Sequence, residues 1–349
     1  MIILAKPAFV NRKKDPGNFR LYSELINQGV TILEWSLKHL VLSKFDILHI
    51  HWPDNILKTR SLTIASAKLF TLTLALFWVR IIRQKPVVWT SHNIISHELN
   101  FPRLESLFWR VLSKFLDGII VHEDATKDRL LCLRPYFSRC LIEKIPLAHF
   151  RGAFPNTVTK SEARCELQLD ENSMVFGFLG QIRPYKNVPA LIEAFDNAPS
   201  DWQLVIAGNP HNSELKERLN TLARDNKNIH LKLEFVRDDD LQVYYNAFDL
   251  VVLPFEQITN SGSALLALSF DCPVLIADSP TLRSLEYEFG GSHVIFFEPP
   301  LSFEDLTRAV DKVKNHKSKP PNMSHRAPSV VASKTRLYYQ SLLSLGDSK

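Results

Sequence analysis

The stretch FLGQIRPYKNVPALIEAF, residues 178–195, decides how this chain folds. Its apolar start reads as a strand that ends in Gly180-Gln181. Arg183 and Lys186 follow, and Asn187 opens a helix. Glycine lets backbone approach a ligand closely, and a helix start beside two cations suits a diphosphate. The plainer reading of the same residues is a solvated loop that happens to be basic. A strand–loop–helix step of this kind belongs to a doubly wound sheet, where ligands bind outside the carboxyl ends of the strands.

Moving outward, LVIAGNP (204–210) is a strand ending in a turn at Gly208. LEFVRDDDLQVYYNAFDLVVLPF (233–255) gives a strand, a loop at Val236/Arg237, a short helix and another strand. TNSGS (259–263) then runs into an apolar helix. Arg183 and Lys186, the Gly208 turn, the Val236 loop and Asn260–Ser263 all fall at strand ends of one domain. Further strands are expected at 174–180, 202–207, 229–233, 249–253, 273–276 and 293–297. Helices are expected near 187–197, 212–225, 238–246, 262–270 and 302–315.

The first half has the same alternation. Strands are expected at 1–9, 30–35, 46–51, 86–91, 118–122 and 141–145, with helical patterns at 19–29, 61–83, 101–116 and 124–132. Buried Val/Ile/Leu strands between helices argue for parallel sheets. The polar connection PLAHFRGAFPNTVTK (146–160) separates the halves. The expected organisation is therefore α/β: residues 1–150 form one Rossmann-like domain and 151–328 a second, facing it across a cleft. A final helix in 329–349 packs back on the first. The halves share architecture but no sequence repeat.

Charge is uneven. Residues 1–150 hold 21 Lys/Arg against 12 Asp/Glu, and the rest of the chain carries a net −4, for a total of +5. A basic first half points to an anionic partner. SLTIASAKLFTLTLALFWVRIIRQK (61–85) is nearly long enough to span a bilayer. Lys68 lies inside it, however, and it falls where a crossover helix is required. The reading is a surface that docks on an anionic membrane face, with an ordinary packed helix as the alternative. No nucleic-acid motif accompanies the positive charge. The four cysteines form no CxxC pair and no metal spacing, so a reducing compartment is expected.

The motifs G-x-x-R-x-x-K-N…LI-AF, L-V-I-A-G and Y-x-A-F-D-L-V-V-L-P…P-V-L-I in residues 174–276 resemble the nucleotide-sugar domain of GT-B glycosyltransferases. The resemblance extends over nearly the whole chain and is closest to bacterial transferases that build exopolysaccharide on lipid-linked intermediates. It implies that Arg183 and Lys186, beside Gly180, hold a donor diphosphate. It also implies that Glu234 and Val236 lie along the base, and that Asn260, Ser261, Gly262 and Ser263 face phosphate or sugar. DPGNFRLYSELINQGV (15–30) resembles the loop and helix on the acceptor side, which places Gly17 and Asn18 there with His51 and His97. GDP-mannose as donor, a polyprenyl-diphosphate oligosaccharide as acceptor, and a peripheral site on the cytoplasmic face of a bacterial inner membrane follow from the resemblance.

The chain departs from that pattern in one place. Retaining GT-B enzymes commonly carry two glutamates eight positions apart; registering on Pro273-Val274 puts Ile258 and Leu266 there, and Glu256 is out of register. Inversion needs no such pair. A base deprotonates the acceptor hydroxyl, and cations hold the departing diphosphate. The candidate bases are Asp54, His92 and Glu98. A metal-independent reaction is expected, because Arg183 and Lys186 supply the charge and Asp238–Asp240 read as a helix N-terminus. Asp124 reads as an N-cap. A nucleotide-sugar epimerase or hydrolase, or a non-catalytic partner subunit, are the alternatives.

Overall fold

The computed structural model describes residues 1–12, 16–92, 94, 100–255, 262–315 and 319–347. It divides into two compact units: Met1–Ala148 with Ser324–Lys349, and His149–Met323.

In the first unit the strands are β1 (Ile2–Lys6), β2 (Thr31–Glu34), β3 (Ile47–His51), β4 (Val87–Thr90), β5 (Gly118–Val121) and β6 (Leu141–Lys144). They form a parallel sheet in the order β2-β1-β3-β4-β5-β6. The helices are α1 (Pro16–Asn27), α2 (Leu37–Leu42), α3 (Leu62–Phe77), α4 (Pro102–Ser113) and α5 (Asp124–Leu133). A π-helical turn, Trp78–Ile82, continues α3. Side chains alternate across the strands. Leu4, Leu48, Ile50, Val87, Trp89, Ile119 and Val121 enter one core with Leu76, Phe108, Trp109 and Phe137. Ile3, Ala5, Ile47, Val88 and Ile120 enter the other.

The second unit contains α6 (Lys160–Glu166), β7 (Met174–Leu179), α7 (Val188–Phe195), β8 (Trp202–Ala207), α8 (Ser213–Ala223), β9 (Ile229–Lys232), α9 (Leu241–Ala247) and β10 (Leu250–Leu253). It continues with α10 (Gly262–Ser269), β11 (Val274–Ala277), α11 (Arg283–Phe289), β12 (Val294–Phe297) and α12 (Phe303–Lys314). Its sheet is also parallel, in the order β12-β11-β10-β7-β8-β9. β7 is the first strand of the unit and lies inside the sheet, so β8 and β10 flank it and its carboxyl end sits at the switch in strand direction of travel. This is where an open α/β sheet offers a crevice.

The chain returns to the first unit through α13 (Pro328–Asp347). Val331, Ala332, Tyr338, Tyr339 and Leu342 recur at helical spacing and complete the core containing Tyr22 and Leu25 of α1. Arg326, at the point of return, is buried and pairs with Glu123 at 2.9 Å. Glu123 occupies the N-cap position of α5 and makes no side-chain cap there. The sequence reading placed the cap at Asp124; Asp124 instead stands in the first turn, where its carboxylate meets Lys144. Removing one partner of a buried pair strands the other charge. Arg326→Met is therefore expected to lower stability by about 3 kcal/mol, measured by denaturant unfolding. Adding Glu123→Leu should recover most of the loss.

Candidate active site

In the second unit Gly180, Arg183 and Lys186 follow the carboxyl end of β7. Gly180 has φ +137° and Gly208 φ +147°, and a Cβ on Gly208 would lie 1.8 Å from the Gly180 carbonyl oxygen. Only glycine permits this approach, and it is tied by Ile182 N–H donating to the Asn209 carbonyl at 3.0 Å. The loop then turns through Pro184–Lys186 into α7, with Asn187 in the left-handed region at φ 48°.

Lys186 is 8% exposed. Its Nζ lies 5.2 Å from the Phe255 ring centre and 5.8 Å from that of Phe178. Burial, and then the neighbouring Arg183, lowers its pKa to about 8. Arg183 donates to His211 Nδ1 and, at 3.3 Å, to Gln181 Oε1. Among the described residues neither cation has a carboxylate partner. Two adjacent cations, one of them buried, form a site that is incomplete without an anion.

Gly262 and Ser263 are the first residues of α10, and Leu266 is half-buried in that helix. Asn260, Ser261, Glu256 and Ile258 lie outside the described residues. Glu234 and Val236 line a cavity of ≈ 470 Å³ with Lys232, Phe235, His230 and Tyr244. Lys232 Nζ meets Glu234 at 2.9 Å. Asp238–Asp240 form an exposed 3-10 turn leading into α9. Among the described residues no group of three or more His, Cys, Asp or Glu is arranged to hold a metal ion.

In the first unit the structure brings His51 and His92 together with residues that sequence reading did not single out. His49 and His51 alternate along β3 onto the face covered by α1 and α13. His51 Nε2 is 2.6 Å from the Tyr22 hydroxyl, and His51 Nδ1 is 2.9 Å from His92 Nε2. Tyr22 also reaches His49 Nδ1 at 3.0 Å, where the Tyr339 hydroxyl of α13 arrives at 2.6 Å. His49 Nε2 is 2.8 Å from Thr90 Oγ1. Trp52 has φ 44° and stacks on His92, ring centres 4.1 Å apart and 15° from parallel. A bulky residue held in that region signals a constraint imposed by its surroundings. His122 lies 5.3 Å from His92, donates Nδ1–H to the Ile145 carbonyl at 2.9 Å, and keeps a buried Nε2 without a hydrogen-bond partner.

Burial dominates the protonation of this group. It pushes His51 and His92 well below the ordinary imidazole range, aided by repulsion from neighbouring imidazoles, and lowers His122 to about 4 and His49 to about 3. All four are neutral at pH 7. His49, His51 and His122 are buried, whereas His92 is half-buried, so His92 is the accessible end of the chain of rings.

Asp54 is buried in the 3-10 turn Pro53–Leu57 that follows β3. Gly17 and Asn18 lie in the first turn of α1, and buried Asn18 donates to the Pro7 carbonyl at 3.1 Å. His97 and Glu98 lie outside the described residues. The alternation HIH in β3 was the signal for His49; Tyr22 and Tyr339 carry none, because they reach the site only through helix packing.

Two parallel doubly wound units of this kind make up the GT-B fold. Residues 159–330 match the family of glycosyl transferases group 1. Over the whole chain the sequence is similar to the GDP-mannose:glycolipid 4-beta-D-mannosyltransferase of Xanthomonas campestris pv. campestris. The two are 29% identical over 349 residues, covering 97% of this chain and 92% of that protein. The fold is similar to that of sucrose-phosphate synthase from Thermosynechococcus elongatus (TM-score 0.68, 14% identity, 99% of each chain). It is also similar to that of Anabaena HepE in complex with UDP-glucose (TM-score 0.65, 15% identity, 100% of this chain and 99% of that one).

Proposed function

We propose that this enzyme transfers mannose from GDP-mannose, with inversion, to a polyprenyl-diphosphate-linked oligosaccharide in exopolysaccharide synthesis at the cytoplasmic face of a bacterial inner membrane. The observation that carries the reading is buried Lys186 beside Arg183, with no carboxylate partner among the described residues, at the strand ends of the group 1 domain. A nucleoside diphosphate supplies the missing charge, and the two cations stabilise it as it leaves, without a metal ion. The similarity to a GDP-mannose-dependent mannosyltransferase supports the sugar and the base. The Glu234 carboxylate also suits guanine, whose Watson–Crick edge offers adjacent N–H donors.

His92 is the proposed base. Its Nε2 faces His51, so the acceptor proton enters at Nδ1. A neutral imidazole has one N–H. For Nδ1 to accept, His92 Nε2–H donates to His51 Nδ1, His51 Nε2–H to the Tyr22 oxygen, and Tyr22 O–H to His49 Nδ1; the distances of 2.9, 2.6 and 3.0 Å allow every step. The acceptor oxygen then bonds the anomeric carbon, the bond from that carbon to the diphosphate breaks with its electron pair, and the proton rests on His92. Leu266 on α10, where retaining enzymes commonly hold a glutamate, supports inversion.

The membrane reading rests on α3 and its π-helical turn. Leu62–Ile82 is long and apolar enough to cross a bilayer by length and composition. One face, however, is committed to the sheet through Leu69, Leu72, Leu76 and Val79. Phe70, Leu74, Phe77 and Ile81 follow one another at helical spacing and are exposed. A helix anchored on one side and apolar on the other lies in the interface.

Purified enzyme given GDP-mannose and a membrane extract should label a lipid-linked product carrying a β-linked mannose. An α linkage would remove the inverting mechanism. Turnover of GDP-mannose without any acceptor would favour an epimerase or hydrolase instead.

A further inference from the structure

At the opposite end of the first sheet's strands from the imidazoles, beneath the amino ends of β4 and β5, lies a cavity of ≈ 1160 Å³. Four cations line it: Arg80, Lys85, Lys114 and Arg139. Its two carboxylates are committed elsewhere. Asp46 accepts the Ile2 N–H at 2.7 Å; Asp117 accepts the Val87 N–H at 3.0 Å and pairs with Arg80 at 2.9 Å. Arg139 donates to the Ser113 carbonyl, a neutral acceptor. Asp46 keeps its charge, so the four cations exceed the two carboxylates by two, and Lys85 and Lys114 face the cavity without an ion-pair partner among the described residues.

The remaining wall is apolar: Ile81 from the π-helical turn, Leu116, and Leu342, Leu343 and Leu345 from α13. Ile81, Ile82 and Leu345 are exposed and continue the apolar stripe that runs back along α3 to Phe70. The volume is many times that of a phosphate ion, and half the lining is hydrocarbon. A small inorganic anion would leave that half wet, and a neutral lipid would leave the cations unmatched.

We infer that this cavity binds the phosphodiester headgroup of an anionic phospholipid, with Lys85, Lys114 and Arg139 on the phosphate and the acyl chains leaving along Ile81 and Ile82. The inference deepens the membrane-surface reading given above and rests on it for the orientation of α3. It makes lipid recognition a property of a defined site rather than of diffuse basic charge.

Short-chain phosphatidylglycerol, kept below its critical micelle concentration, separates site binding from membrane docking. Calorimetry of the full chain should show saturable binding that weakens at least tenfold in Lys85→Ala/Lys114→Ala. Short-chain phosphatidylcholine should not bind. Phe70→Ser/Phe77→Ser should keep that binding while no longer floating with vesicles of phosphatidylcholine and phosphatidylglycerol. Lys114 is exposed and Lys85 half-buried, and unchanged melting temperatures will report intact folding. Absence of binding, binding that ignores the lysine substitutions, or equal competition by inorganic phosphate would overturn the headgroup site. If Phe70→Ser/Phe77→Ser still floats as the wild type does, the docking face is wrong, while the calorimetric result stands or falls separately.

Discussion

Lys186→Met is expected to abolish donor binding and, in the same protein, to raise stability. The two effects have one cause. The ammonium is buried between Phe178 and Phe255, beside Arg183, and its pKa is lowered from 10.5 to about 8. Below pH 8 the folded enzyme carries a charge it would rather lose. The unfolded chain binds more protons than the folded one between pH 8 and 10.5, so this residue's contribution to stability improves as pH rises through that window. Methionine fills a similar volume without charge. Unfolding at pH 7 should show a gain on the order of 1–3 kcal/mol for the ligand-free protein. Affinity for the nucleotide should fall by 10²-fold or more by calorimetry, since charge-assisted contacts to phosphate are lost from a site with little water. Loss of binding together with loss of stability would mean that Lys186 serves the fold and not the diphosphate. The same titration limits the alkaline side of catalysis: donor binding should weaken above about pH 8.

His92→Gln is expected to lower kcat by 10²–10⁴-fold while leaving nucleotide affinity within a few-fold, because the base acts on the acceptor. The pH profile carries the finer test. Burial holds His92 well below 6.5, so the acidic limb of kcat should lie far below the usual imidazole range. With Lys186 of the free enzyme titrating at about 8, kcat/KM for the donor should fall above that pH and hold a plateau through neutrality. Tyr22→Phe removes the hydroxyl that orients His51 and should displace the acidic limb as well as lowering kcat; a purely structural tyrosine would lower activity without moving it. The same imidazoles make the protein acid-sensitive. They are neutral when folded and take up protons when unfolded, so stability should fall as pH drops below about 6.5 and keep falling toward the folded-state values of about 4 for His122 and 3 for His49.

Much of the architecture could be read from the chain because parallel strands buried on both faces are short apolar runs with polar punctuation. LVVL of β10 and VLIA of β11 declare themselves in this way. The short helices α2, α6 and α11 did not, since a six- or seven-residue amphipathic segment gives too few periods to register. The pair of cations after β7 was legible because its parts, Gly180 through Lys186, are contiguous. The imidazole network was only half legible. His51 ends β3 and His92 lies two residues past the end of the adjacent β4, but the residues that orient this network come from helices at positions 22 and 339, and nothing local in the sequence announces such a meeting.

The position of Tyr339 also sets the order of assembly during synthesis. The first unit's sheet is complete at Lys144, yet the apolar face that receives Val331, Ala332, Tyr338 and Leu342 stays uncovered while the whole of the second unit is translated. At translation rates of about 5–20 residues per second, that interval lasts on the order of ten seconds or more. A ribosome-bound intermediate with an exposed tyrosine- and isoleucine-lined groove is a natural client for a holdase. Only when the helix seats does the Tyr339 hydroxyl complete the His49 network, so the imidazole cluster is assembled after the second unit has been made.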